Sequence, residues 1–439
     1  MHAGSAESRV GGGTGYNPSL ESLRFEKRFD LVFVAEDDKR QLNRNTLRYM
    51  SNAWILSGVR TPIGRFMGEL SHLTAPQLAG HAIQASLASA RVDKAQIDEV
   101  IIGEVLTSGV GQAPARQAAI HSGIPEAVGC ATVGKVCGSG LYAIMLADRS
   151  LRAGDSSIVV AGGMESMSQA PHLLRNSRAG WKYGQQPLMD SIEIDGLRCP
   201  HGSALMGVYA ENVARDHGID RLTQDEWSMQ SHQRAIAAQR SGAFAAEIVQ
   251  VPTANREMVL LDGGPRADSS LEKLGKLRPA FDVDGTVTAG NSSSLSDGAA
   301  AVVVVSESVR MSMPNRSAFR IVASAIHARR PEDLFLAPVG AIEKLLHKTN
   351  RKTSDVDLFE INEAFASQTI ACMRELKIAP ERLNVNGGAI ALGHPIGCSG
   401  TRLLVTLMHA LQTRGLTVGV AALCLGGGEA VAMMIEYQA

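Results

Sequence analysis

The sequence carries no excess of charge of either sign: 43 Lys plus Arg face 44 Asp plus Glu, for a formal net charge of -1 over 439 residues. Binding a polyanion needs a basic surplus that displaces counterions from phosphate, so nucleic acid is excluded as a partner. Long hydrophobic runs are missing as well. The nearest, Ala299 to Val305, falls far short of the ~18 consecutive apolar residues of a membrane-spanning helix, and no membrane span is expected. The six cysteines (Cys130, Cys137, Cys199, Cys372, Cys398, Cys424) form no CxxC pair and follow no secretory signal. They read as reduced thiols, which suits a cytoplasmic protein. None of the 12 histidines stands at coordinating spacing with Cys or carboxylate, so no metal is expected. Aromatic residues make up only 4%, too few to hint at an assembly. What remains is a globular profile, 45% hydrophobic and 20% charged, with length for roughly two to four domains.

Residues 1–49 differ from the rest. The Gly-rich opening Gly11-Gly12-Gly13-Thr14-Gly15 runs into a charged stretch without amphipathic period. Its seven acids (Glu7, Glu21, Glu26, Asp30, Glu36, Asp37, Asp38) against eight bases do not fit an acid-poor transit peptide. Leu31 to Val34 is too short for a secretory core. At Met50 the character changes: Met50-Ser51-Asn52-Ala53-Trp54-Ile55-Leu56 reads as a chain start entering a strand. Residues 1–49 are therefore expected to be an extension with no evident role, and Met50 the natural initiator.

From Met50 onward short apolar strands alternate with helical stretches, the βαβα rhythm of a mixed or mainly parallel sheet covered by helices. Strands are expected at Val100 to Val105, Ser157 to Ala161 and Ala300 to Ser306. Helices are expected at Ala75 to Arg91, Leu141 to Arg152 and Gln224 to Arg240. Two stretches echo each other. Cys137-Gly138-Ser139-Gly140 leads into a helix, then Arg152-Ala153-Gly154, an apolar strand and Gly162-Gly163. Cys398-Ser399-Gly400 leads into a helix, then Arg414-Gly415, a strand through Cys424, and Gly426-Gly427-Gly428. The echo predicts two βα halves of one design, 50–167 with 297–318, and 319–439. Residues 168–296, polar and loop-rich as in Asp262-Gly263-Gly264-Pro265, read as an inserted loop domain over a site.

Four short motifs carry chemistry. Cys137 stands in Val133-Gly134-Lys135-Val136-Cys137-Gly138-Ser139-Gly140-Leu141, directly ahead of an expected helix. A thiol there feels the positive end of the dipole and unpaired N–H groups, which favour thiolate and lower its pKa below ~8.5. A buried structural Cys is the plain alternative. His394 lies in the glycine-rich run from Asn384 to Gly400, between Gly393 and Pro395, with little side-chain core to join. A neutral imidazole can take the proton of a thiol and hold the thiolate as an ion pair. Cys424, in Ala422-Leu423-Cys424-Leu425-Gly426-Gly427-Gly428, is either a packed strand Cys or a second reactive thiol. Asn362, in Phe359-Glu360-Ile361-Asn362-Glu363-Ala364-Phe365-Ala366, sits at a strand-to-helix step where it could simply cap the helix.

Together KVCGSG at Cys137, NGGAIALGHPIGCSGTR at His394, LCLGGG at Cys424, NEAFA at Asn362, AGGMESMS from Ala161 to Ser168 and GTVTAGN from Gly285 to Asn291 resemble the thiolase family, from about Ser51 to the C-terminus. The resemblance implies an α/β fold of five layers, αβαβα, with two similar βαβ halves plus an inserted loop domain. It implies an acyltransferase acting on CoA thioesters through an acyl-cysteine intermediate, with Claisen condensation or its reversal. The reactions are 3-oxoacyl-CoA plus CoA to acyl-CoA plus acetyl-CoA, or two acetyl-CoA to acetoacetyl-CoA. CoA and acyl-CoA are substrates, and no cofactor is bound permanently. By the same resemblance Cys137 is the acylated nucleophile, His394 its base, and Cys424 the acid and base at the α-carbon of the second acyl unit. One oxyanion falls to His394 and a water held by Asn362, the other to the backbone N–H groups of Cys137 and Gly426. The loop domain binds CoA, with Ser293 on the pantetheine arm and Arg266 near the nucleotide; Leu197, Met206, Ala364 and Phe365 are pocket walls. The family forms homodimers, often paired into homotetramers.

The sequence also departs from the family pattern. Gly134 and Ala113 each replace a usual Asn without removing a catalytic group. Leu205 stands where short-chain synthetic members often have His before Met-Gly, which leaves longer 3-oxoacyl-CoA substrates open. The step Gly428-Glu429 replaces a more usual glycine-rich ending. Condensing enzymes of the ketoacyl synthase type pair their Cys with two His, whereas here Cys424 stands in place of the second. A Cys/His hydrolase leaves the second thiol unexplained. An inactive acyl-CoA or lipid-binding homologue sits poorly with four filled catalytic positions.

Overall fold

The computed structural model describes residues 52–313 and 315–439; the extension over residues 1–49 and the start at Met50 lie outside the described residues. Nine strands make the main sheet: β1 (Ala53–Arg60), β2 (Glu99–Gly103), β3 (Gly129–Val133), β4 (Ile158–Ser166), β5 (Ser296–Ser306), β6 (Ala318–Ala328), β7 (Leu358–Ile361), β8 (Val418–Leu425) and β9 (Glu429–Gln438). Their order across the sheet is β7-β8-β9-β6-β1-β5-β4-β2-β3, with the two-residue strand Gly64–Arg65 added to β5. β2 runs parallel to β3 and β4, and β7 parallel to β8, while the remaining joins are antiparallel. The sheet is therefore mixed.

β1 and β6 meet through only two residue pairs, Trp54 with Arg320 and Ile55 with Phe319, so the path consists of two half-sheets joined at a short seam. The halves share one order. In the first it is β3-β2-β4-β5-β1; in the second Leu383, bridged in parallel to Phe359, continues as β7-β8-β9-β6. β5 and its counterpart β9 each run against the rest of their half. The echo in the sequence thus has a three-dimensional counterpart.

Burial on both faces explains the nearly continuous apolar runs. Along β5, Ala299, Ala301, Val303 and Val305 face one core, while Ala300, Val302 and Val304 face another. Along β8, Val420, Ala422 and Cys424 alternate in the same way with Ala421, Leu423 and Leu425. Helices fill the spaces this creates: α1 (Ala75–Ala90), α2 (Pro114–His121), α3 (Ser139–Ala153), α4 (Met206–Asp216), α5 (Arg221–Ser241), α6 (Ala337–Thr349), α7 (Ala366–Glu375) and α8 (Ile396–Arg414). α1 and α2 cover the outer face of the first half-sheet. α6 and α7 cover the outer face of the second. α3 and α8 lie between the halves in a shared core. This is the five-layered αβαβα arrangement.

The two Ser-Gly steps of the echo start α3 and lie in the first turn of α8, where the helices meet. A Cβ on Gly140 would lie 2.6 Å from Thr401 Oγ1, and one on Gly400 2.6 Å from the Leu141 nitrogen. Any side chain at either position would force the helices apart, so the repeated glycine serves the crossing. The three helices expected from the sequence lie at Ala75–Ala90, Ser139–Ala153 and Arg221–Ser241. α4 was not expected; its N-cap, Leu205, offers no side-chain acceptor to announce a helix start.

Between β4 and β5 the chain leaves the sheet, and buried polar groups fasten this excursion. Arg60 is fully buried; its Nη1 and Nη2 bond Asp262 at 2.6 and 2.9 Å, and its Nε bonds Glu247 at 2.6 Å. Both partners belong to the excursion, and loss of either would leave charge buried without full compensation. The Glu211 carboxylate accepts the N–H groups of Thr286 and Val287 and the Thr286 hydroxyl at 2.7–3.1 Å, which fixes the GTVTAGN loop. No helix among the described residues is long and apolar enough to cross a membrane.

Candidate active site

Cys137 sits on the turn from β3 to α3. The Gly138 N–H bonds the Lys135 carbonyl at 3.0 Å. The Ser139 hydroxyl donates to the Val136 carbonyl at 2.7 Å and accepts the Lys135 N–H at 2.8 Å. This tight loop holds Val136 at φ 44°, a left-handed conformation rare for a β-branched residue and costing on the order of 1–3 kcal/mol. A Cβ on Gly138 would lie 2.1 Å from Leu425 Cδ2, so the elbow presses directly on the end of β8. There Cys424 occupies the penultimate strand position, and the backbone N–H groups of Gly426 and of Cys137 itself lie near enough to the Cys137 sulfur to favour its thiolate.

His394 lies between the short helix Ala389–Leu392 and α8. Its Nδ1 is 2.6 Å from Ser399 Oγ, and that hydroxyl donates its single proton to the Pro395 carbonyl at 2.9 Å. Ser399 must therefore accept from the ring, so Nδ1 carries the imidazole proton and Nε2 is left as the base. The side-chain nitrogen of Asn362 lies 3.4 Å from Nε2. Asn362 does not cap α7, whose N-cap is Phe365. Its own N–H bonds the Ala422 carbonyl at 3.0 Å, which ties NEAFA to β8. The adjacent Glu363 accepts from Trp227, Ser231, Asn384 and the Ile390 N–H at 2.7–3.2 Å and anchors the same loop.

The electrostatics correct one expectation. Burial pushes the Cys137 thiol up to about 11, outweighing the two N–H groups aimed at it. Cys137 is partly open to a cavity, yet desolvation still dominates the helix end. Cys424 is also raised, first by burial and then by Cys137 beside it. Burial lowers His394 to about 3, with Arg402 adding to the effect. The resting site thus holds neutral thiols and a neutral imidazole, not the expected low-pKa thiolate or thiolate–imidazolium pair.

One cavity of about 470 Å³ gathers Cys137, His394, Cys424 and Gly426. Leu197, Met206, Ser293, Arg266, Ala364 and Phe365 line it as well. Asn362 stands behind His394 rather than on the wall. Sequence reasoning assigned no role to Phe281 and Phe335, which line the cavity and meet Phe365 edge-on at 6.0 and 5.4 Å. It also missed the role of Ser399, whose signal is a Ser five residues after the His, on the first turn of a helix. The departure Leu205 lines the cavity too. Arg266, Ser292, Ser294 and Leu295 are shared with an adjoining cleft of about 720 Å³ that adds Arg65, His232 and Lys273. One end is apolar and carries the thiols; the other is polar, with Arg65, Arg266 and an ion pair between Lys273 and Asp268.

A buried acid lies beneath the site. Glu165, inside AGGMESMS, accepts the N–H groups of Val105, Leu106 and Gly397 at 3.2, 3.1 and 2.9 Å, joining the first half to the loop that carries His394. Burial raises it to about 7. Glu104 is buried with neither carboxyl oxygen bonded, and burial, then Glu165, raises it to about 8.

The chain matches two families along nearly all of the described residues: Thiolase, N-terminal domain, over residues 53–308, and Thiolase, C-terminal domain, over residues 316–437. It is 48% identical over 391 residues to the acetyl-CoA acetyltransferase of Escherichia coli (strain K12), covering 88% of this chain and 99% of that protein. It is 46% identical, with the same coverage, to a probable acetyl-CoA acyltransferase of Staphylococcus aureus (strain COL). The crystal structure of the Bacillus anthracis acetyl-CoA acetyltransferase superposes with a TM-score of 0.86 at 40% identity, covering 89% of this chain and 99% of that one. With the layered fold and these matches in agreement, the chain belongs to the thiolase family, acyltransferases that work on CoA thioesters.

Proposed function

We propose that this cavity is the thiolase active site and that each step is assigned as follows. Cys137 Sγ attacks the thioester or 3-oxo carbonyl as its proton passes to His394 Nε2, forming the acyl–sulfur bond. In the condensing direction the bond between the acyl carbon and the CoA sulfur breaks, and the departing CoA thiolate takes up that proton. Cys424, reacting in its thiolate form, then removes a proton from the α-carbon of the second acyl-CoA. The resulting enolate attacks the acyl carbonyl, the acyl–Cys137 sulfur bond breaks as the carbon–carbon bond forms, and the departing Cys137 sulfur takes up the proton held by Cys424. Thiolysis runs the same steps in reverse. Acid–base assistance of this kind typically contributes ~10²–10⁴ in rate. His394, with a water held by Asn362, stabilises the enolate oxygen. The N–H groups of Cys137 and Gly426 stabilise the oxyanion at the acylated sulfur; such a donor is typically worth ~3–4 kcal/mol.

One observation carries this reading: Cys137, Cys424, Gly426 and His394, whose Nε2 is left without the ring proton, line one cavity. The neutral pair is compatible with it, because the thiol need only lose its proton as the carbon–sulfur bond forms. Residues 168–296 serve as the CoA-binding loop domain between halves made of 50–167 with 297–318 and 319–439. Ser293 contacts the pantetheine arm and Arg266, at the polar mouth, the nucleotide end. Leu197, Met206, Ala364 and Phe365 wall the acyl group. The apolar Leu205 extends that wall and favours acceptance of acyl groups longer than acetyl.

A homodimer or homotetramer is supported by β3, which ends the sheet with Gly129, Ala131 and Thr132 exposed and is paired only to β2 among the described residues. The six free cysteines support a cytoplasmic location, where thiols stay reduced. The test is thiolysis by the purified protein: cleavage of acetoacetyl-CoA by CoA, in parallel with medium- and long-chain 3-oxoacyl-CoA. Activity that disappears in Cys137→Ser supports the assignment. A folded protein inactive on every chain length would overturn it.

A further inference from the structure

Glu429, the departure that closes the triple glycine, forms an ion pair with Lys135. The partners stand on the two turns that build the site. Lys135 precedes Cys137 by two residues. Glu429 opens β9 directly after Gly428 and pairs with Leu425 of β8. The pair is sheltered on the lysine side, with side chains 18% and 39% exposed, and the ammonium lies 5.3 Å from the centre of the Tyr142 ring on α3.

Both turns need restraint. The Cys137 elbow holds Val136 at φ 44°, against its own preference. The turn after Cys424 consists of glycines, with Gly427 and Gly428 at φ 90° and 97°, and glycine gives up more backbone freedom than other residues when fixed. Inside that turn the Gly428 N–H reaches the Leu425 carbonyl at 3.3 Å, and the Gly428 carbonyl accepts from Arg329 at 2.7 Å. Among the described residues, the side-chain link crossing from one turn to the other is the Lys135–Glu429 pair, and the Gly426 N–H lies near the Cys137 sulfur. An oxyanion donor works only if its N–H is held on the place where charge develops, and a misplacement of about 1 Å can cost ~10²-fold in rate.

We propose that the Lys135–Glu429 ion pair is a positioning device for acylation, clamping the glycine turn to the nucleophile elbow so that the Gly426 N–H stays on Cys137. The inference rests on the assignment of Cys137 as nucleophile and Gly426 as oxyanion donor. A pair of opposite charges exerts little net field, so alignment rather than charge is the operative effect. Exchanging the two charges should therefore preserve function. A half-exposed pair adds little to stability, so the clamp should register in rate far more than in melting temperature.

The experiment follows single-turnover acylation of the intact protein by acetyl-CoA, read by mass spectrometry of the quenched enzyme, together with KM and melting temperature. The variants are Lys135→Met, Glu429→Gln, their double variant, the exchange Lys135→Glu/Glu429→Lys, and Cys137→Ser. Each single variant should acylate about tenfold more slowly, with KM for acetyl-CoA within twofold and little change in melting temperature. The Met/Gln double variant should be no slower than the worse single variant, and the charge exchange should recover most of the rate. Single variants with the wild-type rate, losses confined to KM or stability, or losses that add would each overturn the clamp. Acylation surviving in Cys137→Ser would instead overturn the nucleophile assignment. Cys137→Ser inactive beside an unimpaired Glu429→Gln would remove the clamp alone.

Discussion

His394 Nδ1 stands 2.6 Å from the hydroxyl of Ser399, whose own proton is committed to the Pro395 carbonyl. Two hydrogen bonds therefore set the tautomer of the imidazole and leave Nε2 as the base beside Asn362. In Ser399→Ala the acceptor is gone, and the ring proton is free to sit on Nε2, where it blocks uptake of the thiol proton. Partners that orient metal-ligating histidines typically cost about 10–100-fold when lost, and by analogy kcat for thiolysis should fall by a comparable amount with KM for CoA nearly unchanged. Ser399→Thr keeps the hydroxyl and should restore much of the rate. Steady-state kinetics of both variants test this, and wild-type kcat in Ser399→Ala would show that the tautomer is set otherwise.

The pH dependence of Cys137 follows from the same neutral site. Its pKa is raised to about 11, so below that value the thiol dominates and the thiolate fraction grows about tenfold per pH unit. Alkylation by iodoacetamide, read as the difference from Cys137→Ser, should climb throughout pH 7 to about 10 without levelling. A helix-activated thiol of depressed pKa would plateau near neutrality. A plateau below about pH 8 would therefore reinstate the low-pKa thiolate in the resting enzyme.

That expectation failed for a physical reason. Sequence places Cys137 at a helix start, because glycine spacing and apolar period are local, but desolvation depends on everything packed around the sulfur. The end of β8, nearly three hundred residues away, supplies much of that burial. Local patterns did point to residues that the fold gathers around one cavity: Cys137, His394 and Cys424 occupy turns that need particular glycines, and such turns leave a readable text. The layers were legible too, since β5 and β8 are apolar on both faces. The Arg60–Asp262–Glu247 anchor was not, because three charged residues far apart in sequence look like solvated surface until the fold brings them together. Glu165 and Glu104 were hidden for the same reason. The clamp between Lys135 and Glu429 was visible only as an unexplained departure at Glu429.

Glu104 yields a prediction whose sign is fixed by its surroundings. Its folded pKa is raised from 4.5 to about 8, by burial first and then by Glu165. A carboxyl raised in this way contributes its stability below about pH 4.5 and loses it progressively as pH rises through 8. Glu104→Gln has no proton to retain. Relative to the parent it should be similar in stability near pH 4.5 and increasingly more stable up to pH 8, by an amount on the order of a few kcal/mol. Melting temperatures of both proteins from pH 4.5 to 8 provide the measurement, and a difference that does not vary with pH would contradict the buried, protonated carboxyl.

Ala113 offers a gain in stability that leaves the chemistry untouched. It is the N-cap of α2, exposed, at φ 49° and ψ 63°, and makes no side-chain capping bond. The left-handed region costs an ordinary L-residue roughly 1–2 kcal/mol, whereas Asn enters it more readily through local hydrogen bonds of its short side chain. Asn is also the residue usual at this position in the family. Ala113→Asn should therefore stabilise the protein by about 0.5–1 kcal/mol, seen as a small rise in melting temperature. Ala113 is absent from the lining of the cavity that holds Cys137 and His394, so kcat and KM should stay at wild-type values. A lower melting temperature for Ala113→Asn would mean that the surrounding turn, from Gly111 to Gln117, is shaped around the smaller residue and compensates its strain.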